Sequence, residues 1–201
     1  MKPEKEYLNQ MIAETKKKFD EFVCIDLDLS SANVSYIPTK KRNWMGLKLG
    51  LEGQAEMKKY KVTESQKIRS NCTFYHRIYK LDGKIAKIDC FVNGRIDVSY
   101  IAHYEENYRY LFPFNSEKKY PYTYTIVTHF ENDQVIEEYM VKENQIIYEK
   151  YGSLWDGQVA YYCINYVPTG KYPVLGETMG YYKMDTLEYV PDESYVWNQQ
   201  S

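Results

Sequence analysis

The chain has 201 residues, 44% of them apolar, with a formal net charge of -2 and a pI near 6.0. That length and apolar share supply one sizeable core, so a single domain is expected, and the lack of a basic surplus argues against a nucleic-acid binder. The charge is uneven: residues 1–71 carry 14 Lys+Arg against 10 Asp+Glu and the remainder 12 against 18, so the larger, second part is acidic.

From Pro3 to Phe22, Tyr7, Leu8, Met11, Ile12, Thr15, Phe19 and Phe22 recur at helical spacing between Lys and Glu. This predicts an amphipathic helix that opens at Pro3, where a missing N–H costs little. Its polar face mixes Glu4, Glu6, Glu14 and Asp20 with lysines, which suits packing on a sheet rather than a membrane surface. The N-terminus has no apolar core of signal-peptide length, and apolar runs never reach membrane-spanning length, so a cytoplasmic protein is expected. Residues 23–71 are the least regular. Val23–Leu29 alternates like a strand, Asn33–Ile37 reads as another ended by Pro38, and Thr39–Asn43 forms a basic loop. Trp44–Glu56 fits a strand or a poor helix, since Gly46, Gly50 and Gly53 weaken both. Those glycines match neither a dinucleotide fingerprint nor a Walker loop.

Between Cys72 and Val167 turn residues return at nearly constant spacing: Asp82-Gly83, Asn93-Gly94, Glu105-Glu106-Asn107, Glu131-Asn132-Asp133, Glu143-Asn144 and Asp156-Gly157. Asn and Gly accept the positive φ of short hairpin loops, so this region is expected to be an antiparallel β-meander. Alternation separates its faces, with Ile88 and Cys90 on one side of their strand and Lys87 and Asp89 on the other. Val135–Val141 and Val159–Val167 are apolar on both sides, which calls for a cover on each face: the helix on one, a second sheet layer or the C-terminal tail on the other. The loop Pro113–Pro121 breaks the spacing. Two short strands, Met179–Met184 and Leu187–Val190, precede a tail whose Trp197 is expected to dock. The fold class is therefore α+β, mainly antiparallel β, over residues 1–201.

Few constellations suggest chemistry. His76, His103 and His129 lie on separate strands without ligand spacing, and Cys24, Cys72, Cys90 and Cys163 include no Cys-x-x-Cys, so metal and cofactor are expected to be absent and the thiols reduced. No Gly-x-Ser-x-Gly motif occurs. Asp26 and Asp28 share a strand side and are the one carboxylate pair considered for general-acid or cation chemistry. The segments Tyr79-Lys80-Leu81-Asp82-Gly83-Lys84-Ile85 and Phe91-Val92-Asn93-Gly94-Arg95-Ile96 resemble the hairpin repeats of MORN-variant, antitoxin-like proteins of bacteria. That resemblance implies a bacterial protein of the immunity or antitoxin kind.

Twenty-three tyrosines exceed ordinary usage. A ring that is apolar and a hydroxyl that stays wet suit a half-solvated sheet or an interface centre. The expected function is non-catalytic: an acidic, tyrosine-rich sheet face that neutralises a basic protein partner, with Tyr100, Tyr104, Tyr108, Tyr110 and Phe112 at its centre and Glu105 and Glu106 at its rim. The alternatives are a small-molecule binder whose bent sheet encloses a tyrosine-lined cavity, and an enzyme of undefined reaction.

Overall fold

The computed structural model describes residues 2–22, 27–39, 47–68, 72–114, 124–169 and 171–192. Helix α1 (Lys5–Phe22) is followed by β1 (Asn33–Thr39) and helix α2 (Leu51–Lys59). Ten strands follow among the described residues: β2 (Phe74–Leu81), β3 (Lys84–Val92), β4 (Arg95–Glu105), β5 (Tyr108–Phe114), β6 (Thr125–Glu131), β7 (Gln134–Lys142), β8 (Gln145–Trp155), β9 (Gln158–Tyr166), β10 (Val174–Lys183) and β11 (Glu188–Pro191). All eleven form one open antiparallel sheet whose spatial order is the chain order.

The turns explain this order. Asp82-Gly83, Asn93-Gly94, Asn132-Asp133 and Asp156-Gly157 each place both residues at positive φ. That is the hairpin geometry whose twist matches the flanking strands, and it sends β3, β4, β7 and β9 back beside their predecessors. Glu106 (φ 42°) and Glu143 (φ 49°) begin the β4–β5 and β7–β8 turns in the same region.

Three sequence expectations need correction. Of the strand expected over Val23–Leu29, residues 23–26 lie outside the described set, and Leu27–Leu29 is not strand. The Asp28 carboxylate accepts the Ser30 N–H at 2.9 Å, a local turn that bends the chain ahead of β1. Pro38 does not end β1, because β1 is the outermost strand and an edge tolerates a missing donor. The helix begins at Lys5 rather than Pro3, its first turn closed by the Leu8 N–H donating to the Glu4 carbonyl at 3.2 Å.

Both faces of the sheet are covered. On the helix face, Leu8, Met11, Ile12 and Phe19 of α1 pack on Tyr110, Phe112, Val127, Tyr139, Val141, Tyr148 and Ile164. On the opposite face, Leu47, Met57 and Val62 lie over Ile78, Ile88, Tyr100, Leu111, Ile126 and Met140, and Leu51 and Ala55 over Tyr151, Val159, Tyr161 and Tyr182. The second cover is thus residues 47–62, with α2 at their centre, and neither a second sheet layer nor the described part of the tail. The docking expected of Trp197 lies outside the described residues. Two glycines make this cover fit: a Cβ on Gly50 would strike the Tyr151 ring, and one on Gly53 the Lys48 backbone.

Candidate functional site

Period-two alternation puts Tyr108, Tyr110 and Phe112 of β5 on the helix face. Facing them, the flank of α1 carries Tyr7, Gln10, Met11 and Glu14. Between the two runs a groove of ≈ 460 Å³, closed at one end by Glu105 and Glu106 of the β4–β5 turn and floored by Tyr139 of β7. Four tyrosines and three carboxylates therefore share one recess. A volume of this size lies within the range of about 300–1,000 Å³ usual for ligand pockets.

The rings are fixed by stacking: Tyr108 on His129 at 4.3 Å between centroids, and Tyr110 on Phe112 at 5.5 Å. Tyr7 donates to Glu137 at 3.1 Å, as Tyr148 does at 2.7 Å. Burial, reinforced by the Glu137 carboxylate, raises the pKa of Tyr7 and Tyr108, and burial with Glu105 does the same for Tyr110. Burial is the main reason the hydroxyls stay protonated; the neighbouring carboxylates add a negative field, and that part favours a bound cation. One cation already touches two of the lining residues. Lys18 pairs with Glu105, holding its carboxyl below the ordinary value, and its Nζ lies 5.5 Å from the Tyr110 ring centroid. His103 Nε2 approaches the other Glu105 oxygen to 3.5 Å. Glu106 has no ion pair among the described residues.

The seven residues singled out from sequence divide. Glu105, Glu106, Tyr108 and Tyr110 line the groove. Phe112 is on the same face but lies beneath Phe19 and Phe22. Tyr100 is 1% exposed and buried in the opposite core. Tyr104, 37% exposed, shares that opposite side, where Lys84 lies over its ring. The sheet thus presents no continuous open aromatic face through these positions. The helix flank of Tyr7, Gln10 and Glu14 went unassigned, because the sequence shows its stripe but not the strand that each flank adjoins.

A second polar constellation had no sequence signal. Beneath the segment 47–50, Lys48 pairs with both Glu149 and Glu52. Glu138 accepts the backbone N–H groups of Leu49 (2.9 Å) and Gly50 (3.1 Å) and the Thr128 hydroxyl (2.7 Å). Arg109 donates to the Leu47 carbonyl at 2.9 Å and lies 3.9 Å from Glu138. Burial acts to lower the Lys48 pKa, but the carboxylates of Glu149, Glu52 and Glu138 outweigh it and the net shift is upward. Burial pushes Glu149 up to about 8; Lys48 opposes this and neighbouring Glu52 adds to it. Lys48, Arg109, Glu138 and Glu149 are all shut from solvent, so they fasten the cover to the sheet and offer no surface for a substrate.

Catalytic alternatives find little geometry. Burial pushes the Cys90 and Cys163 thiols up to about 12, far from the thiolate a nucleophile needs. Asp26 lies outside the described residues, so the Asp26–Asp28 pair does too. No group of His, Cys, Asp and Glu suited to a metal ion occurs among the described residues. Nor is any described helix long and apolar enough to cross a membrane. A wider groove of ≈ 820 Å³ runs between the start of α2, the β6–β7 turn and the β8 bulge, with Leu49, Leu154 and Met184 exposed along it. Comparisons with protein-family models, curated proteins and solved structures find no match.

Proposed function

We propose that this is a non-catalytic binding protein, of the bacterial immunity or antitoxin kind, which captures a basic protein partner in the groove between α1 and the β4–β5 turn. The observation that carries this reading is the convergence of Tyr7, Tyr108, Tyr110 and Tyr139 with Glu14, Glu105 and Glu106 around one recess. Aromatic faces and carboxylates together attract Lys and Arg side chains more than either does alone, and the acidic balance beyond residue 71 steers such a partner toward the sheet. The free state of Cys72, Cys90 and Cys163 accords with a reducing, cytoplasmic setting.

The test is capture from lysate of the source organism with the wild-type chain and with a Glu105→Gln/Glu106→Gln variant. A stoichiometric basic protein retained by the first and lost from the second, with cooperative melting unchanged, supports the reading. A partner held equally by both sinks it. A second reading, a small organic cation in place of a protein, draws on the groove's ligand-sized volume. It predicts that the purified chain gains thermal stability from cationic aromatic or aliphatic amines, whereas the protein-binding reading predicts a gain only with the partner.

A further inference from the structure

A cation of the chain itself, Lys18, touches two of the groove's lining residues without being part of the lining, and its placement says what kind of ligand those residues take. Lys18 leaves α1 on the side that faces β4 and β5. Its ammonium pairs with Glu105 and lies 5.5 Å from the centroid of the Tyr110 ring. A carboxylate on one side and a tyrosine face on the other form a minimal ammonium site, and Lys18 occupies it as a tethered lysine would. The Lys18 side chain is 25% exposed and that of Glu105 39%, so water and salt reach the pair and screen it. Lys17, the preceding residue, differs in both respects: it is 78% exposed and faces Glu21 of its own helix at 3.9 Å.

We infer that Lys18 is a stand-in occupant of the site formed by Glu105 and Tyr110 at the edge of the groove, and that a lysine or arginine side chain of a basic partner displaces it from both. The inference rests on the proposed function. It adds the recognised chemistry, a single side-chain cation between a carboxylate and an aromatic face, and a mode of control, since the chain competes with its own ligand. Glu106, exposed at the groove's end, and Glu14, on its α1 wall with one oxygen accepting from Gln10 at 2.7 Å, take the neighbouring charges of a basic segment. The displaced ammonium moves to solvent, and the exchange conserves the number of ion pairs on Glu105. The affinity lost to this competition is therefore recoverable by deleting Lys18.

The experiment titrates a hexalysine peptide into the full chain at low and physiological salt, following binding calorimetrically. Variants are Lys18→Met, Lys18→Gln, Lys17→Met, Glu105→Gln and the double variant Lys18→Met/Glu105→Gln, each first shown to melt cooperatively. The expected result is that both Lys18 variants bind roughly three- to tenfold more tightly than wild type, the range set by one part-exposed ion pair and one cation–π contact. Lys17→Met should leave affinity unchanged, and the double variant should lose the gain. Equal or weaker binding by the Lys18 variants overturns the inference and leaves the groove reading intact. An equal gain in Lys17→Met also overturns it, because the effect would then be one of overall charge. Absence of hexalysine binding by wild type and every variant sinks the inference and the groove reading together.

Discussion

Tyr108 and Tyr110 look alike in the sequence, two places apart on one strand, yet they carry different loads. Tyr110 is 6% exposed and sits between Phe112, Tyr108 and the α1 core. Tyr108 is half-buried and stacks on His129 at the groove. Truncation of Tyr110 to Ala is expected to cost about 3–5 kcal/mol, as for other buried aromatic rings, measured as a lower urea midpoint at unchanged slope. A cost below 1 kcal/mol would show that the ring is not a core element. Glu106, exposed at its turn, would shift stability by no more than about 0.5 kcal/mol as Gln. Alternation assigned both tyrosines to one face. It could not say which would be sealed by Phe19, because that depends on the azimuth at which the helix lands.

At the level of elements, the turns were readable and the cover was not. Positive φ at two successive positions admits few residue types, so Asp82-Gly83 or Asn93-Gly94 announces its hairpin locally. The run from Leu47 to Lys59 announces less, since its sequence fits a strand as well as the poor helix it forms. Its helix contains Gly53 because a side chain there would meet the Lys48 backbone, and Lys48 finds Glu149 101 positions away. A lone Lys and a lone Glu in sequence read as solvated charges; only the fold brings them into contact. Burial of Glu149, which Lys48 offsets only in part, has a pH signature. Glu149 ionises near its ordinary value of 4.5 when unfolded and near 8 when folded, so the native state binds the extra proton between those limits. Stability from this group is fully present below about pH 4.5 and declines as pH rises toward 8, by at most about 1.4 kcal/mol per pH unit. Glu149→Gln, which cannot ionise, should remove this slope in denaturation curves taken from pH 5 to 8. A variant whose slope matches wild type would show that Glu149 titrates normally in the native protein.

For the molecule as a whole, an open sheet with two apolar faces survives only while both covers stay in place. The helix face owes its shielding to α1, through Leu8, Met11, Ile12 and Phe19. Removal of residues 1–22 should leave the hairpins paired but uncover Phe112, Val127, Tyr139 and Ile164. The truncated chain is then expected to bind an apolar dye and to elute as aggregates, while far-ultraviolet dichroism still reports strand. A monodisperse truncated monomer without dye binding would show that α1 is dispensable to the core. The need for two covers was legible in Val135–Val141, which is apolar on both sides. The identity of the second cover was not, since the glycines that let residues 47–62 lie close to the sheet look in sequence like loop residues.

Because spatial order repeats chain order from β1 to β11, no strand is threaded between two others that come earlier or later. A hairpin could be gained or lost at the β11 margin without rerouting any other segment, and from β2 onward most pairings close a loop of only a few residues. Assembly of that part can therefore advance like a zip from any nucleated turn, with loop-closure entropy charged in small steps. The long-range closures are the β1–β2 pairing, which spans residues 40–73, and those that bring α1 and residues 47–62 onto the ribbon. The groove, which needs α1 as a wall, exists only once that long-range closure has been made, so whatever loosens α1 from the sheet abolishes the recess while the hairpins remain paired.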